Sequence, residues 1–146
     1  MSDLEANKRT VHEFYEQSFN QRDPRGAAER YLADVYIQHD PRIADGAEEF
    51  IKFVSELYEA LPDFRAEFTL FIAEGPYVTV HSRWTGIDTT NPDAEAVDEF
   101  IGLWPEGSVG LAVIDTFRLD DNGKITEHWG IGEPIPATSV NDNGMI

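Results

Sequence analysis

The sequence of 146 residues contains no cysteine. Disulfide bonds, thiolate metal sites and cysteine nucleophiles are therefore excluded from its chemistry. Long hydrophobic runs are also missing: no stretch approaches the roughly 20 apolar residues of a membrane-spanning helix. The first residues likewise have no apolar core of the kind found in signal peptides. We therefore expect a soluble, cytoplasmic protein.

Positive charge is scarce, with 11 Lys and Arg against 28 Asp and Glu, for a formal net charge of −17. Binding to nucleic acids requires Lys and Arg to displace the counterions of the phosphates. An anionic membrane surface attracts basic segments for a similar electrostatic reason. We therefore expect neither nucleic acid nor membrane as a partner, and we attribute the acidity first to solubility.

The rest of the composition is that of a globular protein, with 41% hydrophobic and 12% aromatic residues. A chain of this length typically forms one domain. We expect a single domain over residues 1–146, since neither an internal repeat nor a linker is visible.

Helical patterns dominate the first half of the chain. Residues 2–21 place apolar side chains on one helical stripe, and His12 lies outside it. A second, short helix is expected over 23–32, with Asp23 as N-cap and Pro24 at its first position. The clearest helix covers 47–62, where Pro62 ends it. The apolar stripe of the first helix consists of Leu4, Val11, Phe14, Tyr15 and Phe19.

The second half favours strands. Residues 64–86 contain two β-rich runs that predict a hairpin, and 108–119 with 124–131 form a second pair. Residues 85–107 predict a long loop or a short helical excursion, and the tail from 133 is too rich in Pro and Asn for regular structure. Helices followed by an antiparallel meander indicate an α+β fold, with the helices on one face of a curved sheet.

One strand carries a carboxylate in its apolar row. Alternation in residues 108–119 places Asp115 on the same face as Leu111, Val113 and Phe117. A carboxylate on a buried face loses hydration unless a partner compensates. The following strand carries a candidate partner, His128.

The turn between the two strands decides whether Asp115 and His128 meet. A two-residue turn at Asn122 and Gly123 places Asp115 opposite Gly130, and a four-residue loop places it opposite His128. Both registers direct Asp115, His128 and Gly130 to one side, whereas an odd loop would reverse the faces. The opposite face then brings Arg118 near Glu127 and exposes Trp129.

An inward carboxylate and imidazole could perform general acid–base catalysis, or they could form a buried pair that serves structure alone. Further polar residues that could reach the same cavity are Tyr36, Gln38, His39 and His81. A metal site built from His39, His81 and His128 is conceivable, but no HxH or HExxH spacing supports it. We expect no metal. The sequence has no GxSxG motif, P-loop or dinucleotide fingerprint.

Two segments resemble SnoaL-like proteins of the NTF2-like superfamily. They are NKRTVHEFYEQSFNQRDPRGAAERYLADVYIQHDPRIADG (7–46) and VIDTFRLDDNGKITEHWG (113–130), followed by the tail EPIPATSVNDNGMI. The resemblance implies a cone: a strongly bent antiparallel sheet against about three helices, with a deep pocket. It also implies a homodimer through the outer sheet face, where Trp129 is placed. Family enzymes include polyketide cyclases that perform aldol condensation with an acidic residue and no cofactor, while relatives isomerise, hydrolyse or only bind ligands.

Many relatives read HWD where this chain has His128, Trp129 and Gly130. Gly130 could have removed a catalytic carboxylate and left a binding protein, or it could make room for a bulkier substrate beside Asp115 as sole base. The leading hypothesis is a cofactor-independent cyclase, isomerase or lyase acting on a small carbonyl compound. Alternatives are a non-catalytic small-molecule binding module and a structural dimer with a filled cone. The expected catalytic residues are Asp115 and His128, and the expected substrate-binding residues are Tyr36, Gln38, His39, His81, Phe117 and Gly130.

Overall fold

A computed structural model describes residues 3–86 and 107–146. In these ranges the helices are α1 (Leu4–Tyr15), α2 (Pro24–Tyr31) and α3 (Ala47–Ala60), and a π-helical turn (Glu16–Asn20) extends α1. The strands are β1 (Leu32–Gln38), β2 (Arg65–Glu74), β3 (Tyr77–Thr85), β4 (Ser108–Leu119) and β5 (Ile125–Pro136). The predicted α+β architecture is confirmed. Most of the 85–107 segment, residues 87–106, lies outside the described residues.

Local sequence explains where the first two helices begin. Asp3 caps α1 by accepting a hydrogen bond from the backbone N–H of Ala6 at 3.1 Å. Asp23 caps α2 through the N–H of Gly26 at 2.9 Å, and Pro24 takes the first helical position, as predicted. His12 is exposed on α1. None of the helices in the described ranges has the length and apolarity needed to cross a membrane.

The five strands form one sheet in the order β1-β5-β4-β3-β2. The β2–β3, β3–β4 and β4–β5 pairs are antiparallel, but β1 pairs with β5 in parallel. The sheet is therefore mixed, which departs from the wholly antiparallel sheet predicted. A parallel neighbour needs no hairpin, so turn residues gave no sign of this pairing.

The prediction that no regular structure follows residue 132 is wrong, because β5 continues to Pro136. Pro134 pairs with Leu111 and Pro136 with Ser108 on β4. β1 covers only the first part of β5, up to His128. The second half of β5 is therefore an edge on one side, where a proline without an N–H is tolerated.

The β4–β5 hairpin brings Asp115 and His128 to the same face through a turn that the sequence did not predict. Its turn is a three-residue loop, Asp121–Gly123, closed by the N–H of Asp120 donating to the carbonyl of Lys124 at 2.8 Å. Gly123 has a φ of 74°, which suits glycine. An odd loop alone would reverse the faces, but β5 holds one extra residue, Thr126, between the pairs Leu119–Ile125 and Arg118–Glu127. This bulge restores the parity.

The core fills the space between the helices and the inward face of the sheet. Side chains of α1 pack on β4, where Phe14 and Tyr15 contact Phe117, and α3 packs on β1, where Phe50 contacts Tyr36. The row of β4 predicted to face inward is buried from Leu111 to Leu119. The largest fully buried side chains are Phe14, Leu57, Phe64, Phe117 and Ile125.

Candidate active site

A cavity of about 350 Å³ lies between the helices and the inward face of the sheet. This is within the usual size range of small-molecule sites. A cavity of this volume contradicts the alternative of a cone filled by its own side chains. Its walls are mainly aromatic and aliphatic. The apolar lining includes Phe19, Phe50, Phe53, Trp84, Leu111 and Val113.

Asp115 and His128 meet in the cavity wall. Asp115 Oδ1 lies 2.8 Å from His128 Nε2, and the residues are only 3% and 7% exposed. The register is Asp115 opposite Gly130 and Phe117 opposite His128, which is the first of the two registers predicted. The second carboxylate oxygen, Oδ2, is buried and has no hydrogen-bond partner among the residues that the structure describes.

Gln38 holds the other side of the imidazole. The parallel pairing of β1 with β5 places Gln38 beside His128, and its Oε1 lies 2.6 Å from His128 Nδ1. The same oxygen accepts the backbone N–H groups of His39 and Asp40, each at 3.0 Å. The imidazole is therefore held at both nitrogens.

Two buried tyrosine hydroxyls lie close to this pair. The hydroxyl of Tyr15 is 3.5 Å from His128 Nε2, and that of Tyr36 is 3.4 Å from Gln38 Nε2. Burial, followed by the negative charge of Asp115, raises the pKa of both tyrosines above the usual value. Both hydroxyls therefore stay protonated at neutral pH and act as hydrogen-bond donors.

Gly130 faces the carboxylate from the neighbouring strand. A Cβ atom at this position would lie 2.6 Å from Asp115 Oδ1 and 3.2 Å from His128 Cε1. Both distances are below ordinary contact, so the pair occupies the volume that a side chain at 130 would need. Gly130 therefore leaves room for Asp115, and the hypothesis that it makes room for a bulkier substrate stays a prediction.

An ion pair lies at the edge of the cavity. Arg42 donates to both oxygens of Asp40, from Nε at 2.8 Å and from Nη2 at 2.5 Å, and Asp40 is buried. Burial alone would raise the pKa of Asp40, but the hydrogen bonds from the side chain and backbone of Arg42 lower it overall. Both residues line the cavity.

The structure brings six of the eight predicted site residues to the cavity and excludes two. Those at the cavity are Tyr36, Gln38, Asp115, Phe117, His128 and Gly130. The prediction that His39 reaches it is wrong: its ring stacks on Trp129 at 4.6 Å and its Nε2 lies 2.8 Å from Glu127 Oε1. His81 is also misplaced, because it pairs with Ile114 on the outer face between inward Val80 and Ser82.

The three histidines proposed for a metal therefore lie on two faces of the sheet. Among residues 3–86 and 107–146, no group of three acidic or histidine side chains is arranged to hold a metal ion. On the outer face, Arg118 Nη1 lies 3.8 Å from Glu127 Oε2, as predicted. Trp129 also lies on the predicted face, but it is half-buried, with its ring stacked on His39.

Among the polar side chains that line the cavity, sequence reasoning missed Tyr15, Asp40 and Arg42. Tyr15 belongs to the apolar stripe of α1, and nothing in that stripe separates a cavity residue from a core residue. Asp40 and Arg42 flank Pro41 shortly after β1. An Asp before a Pro indicates a turn, and here the Asp40 carboxylate accepts the backbone N–H of Arg42 at 3.0 Å, but this signal does not predict the ion pair.

Comparison with known protein families gives a match over most of the chain. The sequence model of the family described as SnoaL-like polyketide cyclase matches residues 9–137. No curated protein sequence matches the chain.

Solved structures give the same answer for the fold. A proposed SnoaL-like polyketide cyclase from Jannaschia sp. CCS1 is similar with a TM-score of 0.68 at 23% identity, over 91% of this chain and 90% of that one. TsrD from Streptomyces laurentii has a TM-score of 0.67 at 18% identity, over 91% and 92%. AclR, a proposed hydroxylase from Streptomyces galilaeus, has 0.64 at 22%, over 90% and 91%. The fold is the predicted NTF2-like α+β cone, and proteins of differing assigned chemistry share it.

Proposed function

Because the chain belongs to the SnoaL-like polyketide cyclase family, we propose that it is an acid–base enzyme that needs no cofactor and acts on a small carbonyl compound. One observation carries this proposal. Asp115 is buried in the wall of an apolar cavity, with one oxygen on His128 and the other without a partner in the described residues. A carboxylate and an imidazole within hydrogen-bond distance in a cavity wall are the residue types that perform general acid–base catalysis.

The contacts divide the roles among the residues. Asp115 removes a proton from the carbon next to the substrate carbonyl through Oδ2, since Oδ1 is bonded to His128. The enolate oxygen that forms accepts a hydrogen bond from a neutral tyrosine hydroxyl, Tyr36 or Tyr15. Return of the proton to another carbon isomerises the compound, and attack of the enolate carbon on a second carbonyl closes a ring. Phe117 and Gly130 complete the wall beside the carboxylate.

The close approach of Gly130 to Asp115 also bears on why this chain has no carboxylate at position 130. Relatives with HWD carry an acid at the position of Gly130, directly across the strand pair from Asp115. A side chain there would collide with the Asp115 carboxylate. The two side chains would therefore compete for the same space, and we infer that Asp115 supplies the carboxylate that Gly130 cannot.

Hydrogen–deuterium exchange tests this function without knowledge of the product. The protein is incubated in D₂O with a panel of aromatic ketones and 1,3-dicarbonyl compounds, and loss of the proton next to the carbonyl is followed by NMR. We expect exchange with the wild type and a loss of about 100-fold or more with Asp115→Asn. Asp121→Asn, which changes an exposed turn residue, is the matched control. Undiminished exchange in Asp115→Asn would contradict the assignment.

A second candidate is a non-catalytic binding module, and one observation favours it. Although Asp115 Oδ2 has no hydrogen-bond partner within 3–86 and 107–146, it is buried rather than open to solvent. This candidate predicts that panel compounds raise the melting temperature while none of them exchanges a proton.

We also propose a homodimer through the outer sheet face. That face exposes apolar side chains, foremost Ile131 at 80%, beside the half-buried Trp129. An exposed apolar patch on a sheet favours burial against another surface. We expect Ile131→Lys to shift the mass measured by light scattering from dimer to monomer, whereas Val140→Lys in the exposed tail leaves it unchanged. A wild-type mass of one chain would refute this proposal.

A further inference from the structure

We propose that Gln38 is a positioning residue that keeps a proton on His128 Nδ1, so that Asp115 and His128 share a single proton between Oδ1 and Nε2. Sequence reasoning placed Gln38 among the substrate-binding residues. Its contacts assign it to the imidazole instead.

The orientation of the Gln38 amide follows from its neighbours. Oε1 lies 3.0 Å from the backbone nitrogens of both His39 and Asp40, and both of those groups are donors. A reversed amide would direct its NH₂ group at two N–H groups, which offers no acceptor. The atom that faces His128 at 2.6 Å is therefore an oxygen.

An amide oxygen has no proton to donate, so the hydrogen bond to His128 requires a proton on Nδ1. A neutral imidazole carries one N–H only. With Nδ1 protonated, Nε2 either is bare or belongs to an imidazolium. The bond that Gln38 accepts thus selects the tautomer, as a partner on one ring nitrogen generally does.

The contact between His128 and Asp115 then needs one more proton. Nε2 and Oδ1 are 2.8 Å apart, a hydrogen-bond distance that two bare acceptors do not hold. The pair is either imidazolium with carboxylate or neutral imidazole with carboxylic acid. Both forms contain the same number of protons and have no net charge, which suits an apolar cavity.

This arrangement leaves Oδ2 as the atom through which the pair exchanges a proton with a ligand. The tautomer and the shared proton follow from contacts alone, while the exchange step rests on the proposed function. Gln38 acts through His128 and not on a ligand, because its Oε1 already accepts three donors and its Nε2 faces Tyr36 at 3.4 Å.

NMR of the ¹⁵N-labelled, full-length protein tests the tautomer directly. Long-range ¹H–¹⁵N correlations report which imidazole nitrogen carries a proton, and His128→Asn identifies the signals of His128. We expect a protonated Nδ1 in the wild type. Gln38→Met, which keeps the length but removes the acceptor, should lose this fixed pattern, and Gln38→Glu should keep it. His81→Asn on the outer face should leave the His128 signals unchanged.

Two results would overturn the inference: a bare Nδ1 in the wild type, or an unaltered Nδ1 signal in folded Gln38→Met. The wild-type spectrum decides alone if Gln38→Met fails to fold. In the exchange assay, Gln38→Met should lower the rate about 10-fold to 100-fold, the range for a hydrogen bond to a charged group, with recovery in Gln38→Glu. A fixed tautomer without any exchange would refute the proposed function and leave the role of Gln38 standing.

Discussion

Substitution of Gly130 by alanine measures how tightly the carboxylate fills the space across the strand pair. The new Cβ would lie 2.6 Å from Asp115 Oδ1, and ordinary contact begins at 3.4 Å, so a shift of about 0.8 Å is needed. Gly130 is not among the glycines with positive φ, so the backbone accepts alanine without strain. The whole effect therefore comes from the contact with Asp115 and His128.

The magnitude follows from two overlapping effects. Overpacking of a buried site typically costs 1–3 kcal/mol, and weakening a hydrogen bond between charged groups costs about 1.5–3 kcal/mol. Because one movement causes both, we expect the free energy of unfolding to fall by about 2 kcal/mol. For a chain of this length that corresponds to a melting temperature lower by roughly 4–8 °C.

A double-mutant cycle isolates the contact. In the Asp115→Ala background the carboxylate is gone, so the same Gly130→Ala change should cost little, with a coupling of about 1–2 kcal/mol. Gly132→Ala is the matched control on the same strand, since its Cβ would meet only the flexible side chain of Leu111 at 3.0 Å. Stability is measured by urea unfolding, followed by tryptophan fluorescence and circular dichroism. An equal cost of Gly130→Ala in both backgrounds would refute the steric account of this glycine.

Three further predictions follow from other parts of the site. The double variant Asp115→Ala with Gly130→Asp moves the carboxylate across the strand pair, and we expect it to recover part of the exchange activity that Asp115→Ala alone loses; no recovery would mean that the position of the oxygen matters beyond its presence. The lowered pKa of Asp40 means that its ion pair stabilises the fold above the unfolded value of 3.8 and that this contribution is lost as the pH falls further. Arg42→Gln should therefore lower the urea midpoint at pH 7 but make little difference near pH 3, and a pH-independent deficit would contradict the pairing. Deletion of Thr126 removes the bulge and leaves the pair Arg118–Glu127 directly next to Leu119–Ile125, so the faces of both strands stay as they are and we expect the native circular dichroism to be kept; loss of the fold would contradict the assignment of Thr126 as the extra residue.

The inward position of Asp115 and His128 could be predicted from alternation, but the turn that secures it could not. Sequence reasoning required an even loop, and the loop is odd. The faces are correct because Thr126 adds a residue to β5 and donates its hydroxyl to the carbonyl of Arg118 at 3.1 Å. A threonine in a strand carries no mark that distinguishes a bulge from regular pairing.

Long-range pairing accounts for the remaining differences. The parallel contact of β1 with β5 joins residues about 90 positions apart, and local patterns carry no information on such pairs. That contact brings Gln38 to His128 while it leaves His39 on the outer face. Alternation within β3 separates its two faces but does not say which of them is inward. That depends on the register of β3 with β4, and for this reason His81 was wrongly expected at the cavity.

The hydrogen-bonding groups of the cavity that still have capacity indicate which class of ligand it can bind. Oδ1 of Asp115 and both nitrogens of His128 are engaged in hydrogen bonds, and Arg42 is paired with Asp40. Among the described residues, the groups with capacity left include an acceptor, Asp115 Oδ2, and the hydroxyl protons of Tyr15 and Tyr36; the oxygen of Tyr36 already accepts from Gln38. A buried carboxylate oxygen without a partner reduces stability, and such groups in native proteins usually have a functional explanation. A carbonyl compound offers the complement, an acidic C–H for the acceptor and an oxygen for the donor. The same pair of contacts strengthens as the proton leaves, since negative charge then builds on the carbonyl oxygen beside the hydroxyl.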